Sequence, residues 1–227
     1  MDTYYDFTTA KTDLYKGYRG ANGQKKSVFF QGERYMLKFQ PLKNGIPSNS
    51  CISEYLGCHI FQSIGIPAQE TLLGIYAGTP VVACKDFENQ GKQLMEFAML
   101  KNSLINSSQN GYGTELSDIL SAIEDQELIP VQKLKEYFWN MFIVDAFLGN
   151  FDRHNGNWGM LVDSNRNEAT IAPVYDCGSC LYPKPTDEQI SQIVSSEKEI
   201  NNRIYVFPTS EIKINNIYGK LHLADYE

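Results

Sequence analysis

Short runs of alternating apolar and polar residues in the first third of the chain predict four β-strands. Residues 28–40 (VFFQGERYMLKFQ) contain two β-rich runs around Gln31 and Gly32, which predicts a hairpin with a tight turn. Residues 71–76 (TLLGIY) and 79–87 (TPVVACKDF) predict a second pair of strands, joined by a short Ala-Gly turn.

The segment between these two hairpins has the spacing of a helix. Residues 48–65 (SNSCISEYLGCHIFQSIG) begin with Ser and Asn residues suited to a cap and end at Gly65, with Pro67 beyond. The resulting order, β-β-α-β-β, predicts a small and mostly antiparallel sheet that carries one helix.

Helical spacing dominates the second half of the chain. Helices are predicted over residues 115–128, 131–148 and 186–201, and a hairpin over 158–163 and 168–172. On the longest helix, the near-helical spacing of Trp139, Phe142 and Phe147 predicts that all three side chains belong to the core.

These elements together predict an α+β protein with two lobes. We expect an N-lobe over residues 1–90, built from an antiparallel sheet and one helix, and a mainly helical C-lobe over 91–227. The hinge between them is expected near residues 85–95.

Charge and cysteine content narrow the setting in which the protein works. The chain has 227 residues and a formal net charge of −7, which argues against wide contact with nucleic-acid phosphates. The opening residues, MDTYYDFTT, lack the features of a signal peptide, and no apolar run approaches the length of a membrane span. Five cysteines at low density favour a reducing interior, so we expect a cytoplasmic protein, with secretion into a host as the alternative.

Cys177 and Cys180 form a lone CxxC motif. A redox pair or half of a zinc site would have this spacing. The chain has no second pair of this kind and only three histidines, so structural or incidental cysteines are the simplest interpretation.

The candidate chemistry lies where the longest helix ends, in the stretch NFDRHNGNWG over residues 150–159. Asp152 and Asn157 lie in this stretch, and Asp176 follows the predicted hairpin in APVYDCGS. A hairpin returns the chain close to where it left, so the three side chains should lie near one another. Two carboxylates and an amide suit a site that binds Mg²⁺ and activates a hydroxyl group.

Two charged residues in the N-lobe have apolar neighbours. Lys38 lies in the predicted strand YMLKF, where an edge-strand or snorkelling lysine is the alternative interpretation. Glu54 shares a helix stripe with Cys51, Cys58 and Phe61, although a solvated glutamate would also fit. A strand lysine followed by a helix glutamate is the pair that holds the α- and β-phosphates of ATP in protein kinases.

A glycine-containing loop precedes the first hairpin. Residues 17–27 (GYRGANGQKKS) include Gly20 and Gly23 but match neither GxGxxG nor the Walker A pattern. A flexible loop is one interpretation, and a backbone cradle for phosphate is the other, given its place just before the strands that carry Lys38.

The order of these motifs resembles that of the HipA-like kinases, a serine/threonine kinase family of bacterial toxin–antitoxin modules and related effectors. The segments that carry the resemblance are YMLKF at 35–39, SEYLGCHIFQSIGIPAQET at 53–71, VVACKDF at 81–87, FLGNFDRHNGNWG at 147–159 and APVYDCGS at 172–179. The resemblance implies a protein-kinase-like, two-lobed fold. Members of the family usually have a longer helical C-lobe than this chain has.

The resemblance also implies a role for each of these residues. Asp152 is expected to be the catalytic base, and Asn157 and Asp176 are expected to bind Mg²⁺. Lys38 would bind the α- and β-phosphates of ATP, and Glu54 would orient Lys38.

Other parts of the nucleotide site follow from the same resemblance. Lys85 and Phe87 would lie in the hinge, where the backbone meets adenine. Gly20 and Gly23 would belong to the phosphate loop. His154 is expected to brace the catalytic loop, with a direct acid–base role as the alternative.

The expected function is an ATP- and Mg²⁺-dependent protein kinase that also phosphorylates itself, with Ser27 or Tyr18 as the candidate sites. Its expected partners are a protein substrate and an antitoxin or host target, without direct binding of nucleic acid. A small-molecule or phosphoinositide kinase, or an ATP-binding pseudokinase that serves as an interaction module, is the alternative.

Overall fold

The computed structural model describes residues 4–18, 24–43, 45–88, 91–105, 109–207 and 210–214. Over these residues the strands are β1 Tyr5–Asp6, β2 Lys11–Thr12, β3 Lys25–Phe30, β4 Glu33–Phe39, β5 Leu42–Lys43, β6 Ile46–Pro47, β7 Thr71–Tyr76, β8 Thr79–Lys85, β9 Lys92–Glu96, β10 Gly159–Asp163 and β11 Glu168–Ile171. The helices are α1 Ser50–Ser63, α2 Phe97–Leu104, α3 Leu116–Asp125, α4 Val131–Leu148, α5 Asp187–Val194 and α6 Glu197–Tyr205.

The first part of the chain forms a six-stranded sheet with the order β1-β7-β8-β4-β3-β2. Only β1 pairs in parallel, with β7, and the other described neighbours in this sheet are antiparallel. Both predicted hairpins are confirmed. Their turns place Gln31 and Gly32, and Ala77 and Gly78, at positive φ, as a two-residue turn between twisted strands requires.

The two faces of this sheet have different surroundings, because successive residues of a strand point to opposite faces. Leu37 is buried on one face with Phe7, Val28 and Tyr35. Helix α1 packs on the other face, where Cys51 joins a small cluster from the sheet. Lys38 follows Leu37 in β4 and therefore points to the side of α1.

The second part of the chain contains a smaller sheet, with the order β11-β10-β9. Sequence reasoning predicted β10 and β11 but missed β9, which begins inside the expected hinge segment. The polar residues of β9 obscure the alternation of apolar and polar positions that indicates a strand. The segment is a strand because it pairs with β10, with Leu94 opposite Leu161 and Met95 opposite Met160. Helices α2, α3 and α4 provide much of the surrounding core.

Two predictions about the helices were wrong in detail. The single helix expected over residues 186–201 is divided into α5 and α6, because Ser196 accepts a hydrogen bond from the backbone of Glu199 and begins a new helix. Phe147 is not a core residue, since it is 76% exposed. It lies five positions after the buried Phe142, a rotation of about 140° on a helix of 3.6 residues per turn.

Strand β8 ends at Lys85 and β9 begins at Lys92, so the connection between the two sheets falls within the expected hinge. The boundary at residue 90 stays a prediction. Among the described residues, none of the helices combines the length and hydrophobicity that a membrane crossing needs.

Candidate active site

Lys38 meets two carboxylates where β4, α1 and the segment after β11 converge. Its Nζ atom lies 2.9 Å from Oε2 of Glu54 and 2.9 Å from Oδ1 of Asp176. The strand lysine, the helix glutamate and the distant aspartate are therefore in direct contact. Asp176 has a φ of 59°, in the left-handed region, a strained conformation that the surrounding structure maintains.

The two carboxylates respond differently to this contact. The ammonium of Lys38 lowers the pKa of Asp176 to about 2, whereas burial raises the pKa of Glu54 against the effect of Lys38. The side chain of Glu54 is 2% exposed and that of Asp176 is 41% exposed, so loss of hydration weighs more on Glu54. Burial alone lowers the pKa of Lys38, but Asp176 and Glu54 outweigh it and raise that pKa well above its usual value.

Close packing holds α1 against the segment that follows Asp176. A Cβ atom at Gly57 would lie only 2.7 Å from the Cβ atom of Cys177, and one at Gly178 would lie 3.0 Å from Oε2 of Glu54. A larger residue at Gly57 would therefore force α1 and this segment apart, and one at Gly178 would require the carboxylate of Glu54 to shift. This close packing brings Glu54 to Lys38.

The loop that carries Asp152 begins where α4 ends, at Gly149 in the left-handed conformation. Within the loop, Nδ2 of Asn157 donates a hydrogen bond to the carbonyl oxygen of Asp152 at 2.9 Å. Nδ1 of His154 accepts a hydrogen bond from the backbone N–H of Gly156 at 3.0 Å, which is the geometry of a bracing residue.

The guanidinium of Arg153 organises this loop from within. Its Nε atom donates to Oδ2 of Asp145 on α4 at 2.7 Å. Its Nη1 atom donates both to the carbonyl oxygen of Asn157, at 2.6 Å, and to the carbonyl oxygen of Tyr175. One nitrogen atom therefore joins the backbone of Asn157 to that of the residue preceding Asp176.

This arrangement fits a hard cation held by Asn157 and Asp176. Nδ2 of Asn157 is hydrogen-bonded to the backbone carbonyl of Asp152. The Oδ1 atom of Asn157 lies on the other side of the amide group and can act as a metal ligand. Asp176 offers a deprotonated carboxylate that is partly open to solvent. Among the described residues no group of three or more His, Cys, Asp or Glu side chains could hold a metal ion. Mg²⁺ typically takes one or two carboxylates from the protein and completes its coordination with water and substrate oxygens.

The two predicted hinge residues lie in different environments. The N–H group of Lys85 donates to the carbonyl of Glu70, its own carbonyl accepts from the side chain of Gln69, and its ammonium pairs with Glu70 and Glu33. In the sheet Lys85 is paired with Tyr35 whereas Lys38 is paired with Val82, so the structure does not bring Lys85 to Lys38. Phe87 packs with its ring centroid 5.6 Å from that of Tyr175, next to Asp176.

The predicted phosphate loop is described only at its two ends, and Gly20 and Gly23 lie outside the described residues. Before the gap, the hydroxyl of Tyr18 donates to Oδ2 of Asp86 at 2.8 Å, which links this segment to the end of the sheet. After the gap, Ser27 is 4% exposed in β3, so its hydroxyl is not accessible for phosphorylation in this conformation.

The CxxC cysteines form a buried group with Cys58 of α1. The pKa of Cys177 lies well below its usual value, first because Cys180 and Cys58 donate hydrogen bonds to its sulfur and then because Arg153 lies close by. All five cysteines of the chain are buried and carry free thiols. The structure thus gives these residues a packing role behind Asp176.

Comparison with protein families shows which family has a sequence like that of this chain. The model of the HipA-like C-terminal domain matches residues 14–221, which is most of the chain. The chain belongs to this family. A solved structure, the Helicobacter pylori proinflammatory kinase CtkA, is similar with a TM-score of 0.90 and 48% identity, over 96% of this chain and 75% of that chain. The predicted protein-kinase-like α+β fold is thereby confirmed.

The chain is also similar to a curated relative, the serine/threonine-protein kinase CtkA of Helicobacter pylori strain J99. It is 48% identical over 215 residues, which are 93% of this chain and 66% of the relative. The chain thus spans slightly less than two thirds of that relative's length. A structure of Shewanella oneidensis HipA with HipB and operator DNA is more distant, with 11% identity and a TM-score of 0.49 over 73% of this chain and 45% of that one.

Sequence reasoning on this HipA-like chain missed Arg153 and Asp145. The sequence shows both residues but not their pairing, which depends on the loop after α4 folding back against that helix. An aspartate in the middle of an otherwise apolar helix run, FWNMFIVDAFL, was the available signal, because a buried carboxylate requires a partner.

Proposed function

We propose that the chain is the catalytic part of an ATP- and Mg²⁺-dependent protein kinase that phosphorylates serine or threonine residues. The observation that carries this proposal is the ammonium of Lys38, 2.9 Å from both Glu54 and Asp176. A cation held by two carboxylates in this way is positioned to bind phosphate oxygens.

Each residue then has a distinct task. Lys38 binds oxygens of the α- and β-phosphates, and Glu54 keeps its ammonium in place. When bound, Mg²⁺ would neutralise charge on the phosphates, with Asp176 and Oδ1 of Asn157 as its protein ligands. Phe87, beside Tyr175, is the hinge residue that we place near adenine.

Asp152 is the proposed catalytic base. It accepts the proton of the acceptor hydroxyl, whose oxygen bonds to the γ-phosphorus. The bond between that phosphorus and the bridging oxygen breaks, and ADP leaves with the electron pair of that bond. Such a reaction depends mainly on positioning and charge stabilisation, so a few well-held groups suffice.

The choice of acceptor rests on similarity. The relative that is 48% identical bears the name of a serine/threonine-protein kinase, which supports a protein hydroxyl as acceptor. An antitoxin or a host protein as partner remains a prediction from the family resemblance.

Self-phosphorylation at Ser27 or Tyr18 belongs to the same proposal. At Ser27 it requires β3 to move so that the buried hydroxyl becomes exposed. Five free thiols support a reducing, cytoplasmic setting.

A labelling experiment tests the proposal. Purified wild type and Asp152→Asn would be incubated with γ-labelled ATP and Mg²⁺, alone, with bacterial lysate, and with phosphoinositide and aminoglycoside acceptors. We expect label on serine or threonine of protein in the wild type, and a loss of at least about 100-fold in Asp152→Asn, in the range of removing a positioned general base.

A matched control makes the same chemical change elsewhere. Asp125 is exposed at the end of α3, so Asp125→Asn should label protein like the wild type. Label found only on lipid or aminoglycoside would overturn the choice of protein as acceptor. Nucleotide binding without transfer in the wild type would indicate a pseudokinase and overturn the proposed catalysis.

A further inference from the structure

Lys25 lies directly opposite Lys38 in the sheet. The register of β3 and β4 pairs Lys25 with Lys38, Lys26 with Leu37 and Ser27 with Met36. Directly opposite residues of an antiparallel pair share a face of the sheet, with Cβ atoms about 4.5–5.5 Å apart. Lys25 therefore projects to the same side as Lys38.

The neighbouring lysine shows that the two faces are distinct. Lys26 is opposite Leu37, whose face of the sheet carries the cluster around Phe7. Its ammonium lies 4.2 Å from the ring centroid of Tyr76 on that face. Two consecutive lysines thus serve different sides of the sheet, and only Lys25 is on the side of the candidate active site.

Lys25 is coupled electrostatically to the same groups that surround Lys38. Burial and then the Lys38 ammonium lower the pKa of Lys25, while Asp176 and Glu54 oppose this effect. Like charges directly opposite each other destabilise a sheet, so two ammonium groups here need a compensating anion. The charges of the two carboxylates and the two lysines cancel, but a divalent metal ion bound to Asp176 would add two positive charges, and the negative charges of a polyphosphate would offset them.

We propose that Lys25 is a second phosphate-binding cation, which acts with Lys38 on the phosphate chain of the bound nucleotide. Lys25 lies at the start of β3, two positions after Gly23 in the sequence. The inference rests on the proposed function, since it assigns a further residue to the nucleotide site.

Equilibrium binding to a series of ligands tests the role of Lys25. Isothermal titration would measure a non-hydrolysable ATP analogue with Mg²⁺, ADP, AMP and adenosine against wild type, Lys25→Met and Lys25→Arg. We expect Lys25→Met to bind the triphosphate roughly 10- to 100-fold more weakly, the range of one charge-assisted hydrogen bond. Adenosine affinity should be unchanged, and Lys25→Arg should recover most of the loss.

Lys26→Met provides the matched control, because it removes the same charge from the other face of the same strand. We expect it to bind the triphosphate like the wild type. Wild-type affinity of Lys25→Met for the triphosphate would overturn the inference and leave the proposed kinase intact. An equal loss of adenosine affinity would also overturn it, since that indicates a structural role. A wild type that binds no nucleotide at all would instead overturn the proposed function itself.

Discussion

Arg153 and Asp145 form a buried ion pair, with Nε 2.7 Å from Oδ2 and Nη2 3.2 Å from Oδ1. The same guanidinium donates to the backbone carbonyls of Asn157 and Tyr175. Helix α4, the loop that bears Asp152 and the segment that bears Asp176 are therefore joined at one side chain. A planar group with several donors in fixed directions is needed for this, which favours arginine over lysine.

Replacing the guanidinium while keeping the charge should separate these elements. In Arg153→Lys, one ammonium cannot reach Asp145 and both carbonyls together. We expect the free energy of unfolding, measured by urea denaturation, to fall by about 1.5–3 kcal/mol, the range for a lost hydrogen bond to a charged group. Phosphoryl transfer should fall by about 100-fold, because Asn157 and Asp176 lose their relative position.

Arg166→Lys is the control for this change, since the Arg166 side chain is 72% exposed. It should leave both stability and transfer unaltered. Wild-type activity in Arg153→Lys would contradict the organising role of the guanidinium.

The contact between Lys38 and Asp176 should give a defined dependence of stability on pH. The pKa of Asp176 is lowered to about 2 by Lys38, from an ordinary value of 3.8. A depressed carboxyl pKa contributes stability that is fully present above the ordinary value and is lost as the pH falls through the folded value. We therefore expect the stability difference between wild type and Asp176→Asn to be constant at pH 5–6 and to shrink between about pH 4 and pH 2.

This measurement uses urea denaturation in buffers that contain a chelator, so that metal binding does not contribute. Asp125→Asn serves as the control substitution outside the site. A wild-type advantage over Asp176→Asn that stays the same down to pH 2 would contradict the ion pair as the cause.

The close approach of α1 should make Gly57 sensitive to one added methyl group. In Gly57→Ala the new Cβ would lie 2.7 Å from the Cβ of Cys177, which is not the end of a flexible side chain. Alanine is the better helix former by about 1 kcal/mol, so only a packing clash would make the variant less stable. We expect net destabilisation of about 1–3 kcal/mol and weaker nucleotide binding, because Glu54 moves with the helix.

Gly17→Ala is a suitable control for stability, since a Cβ there would meet nothing within 4 Å. Thermal denaturation of both variants decides the point. A Gly57→Ala protein that is more stable than the wild type would show that α1 packs less tightly than described.

Two substitutions at His154 distinguish bracing from acid–base chemistry. Nδ1 of His154 accepts from the backbone of Gly156 at 3.0 Å, and the side-chain oxygen of asparagine can occupy the same place. If bracing is the role, His154→Asn should keep kcat within about threefold, and His154→Ala should lose about 5- to 10-fold, corresponding to one hydrogen bond. Equal and large losses in both variants, with an altered pH–rate profile, would instead indicate proton transfer.

Local patterns in the sequence predicted most of the elements. The hairpins at Gln31–Gly32 and Ala77–Gly78 were predictable because few residue pairs tolerate positive φ at a two-residue turn. Strand β9 was missed, since its short and polar pattern is stabilised only by pairing with β10. Phe147 was wrongly placed in the core, because spacing alone does not show which side of α4 meets the rest of the protein.

The sequence by itself determined which residues could perform chemistry, through the order of Lys38, Glu54, Asp152, Asn157 and Asp176 along the chain. Only the tertiary structure decided that Lys38 touches both Glu54 and Asp176, that Arg153 joins the loop to the segment that carries Asp176, and that Lys25 shares the face of Lys38. The physical reason is the distance along the chain between the residues that interact. Turns and helices follow from neighbours along the chain, whereas ion pairs between residues 138 positions apart depend on how the sheet, α1 and the loop pack together.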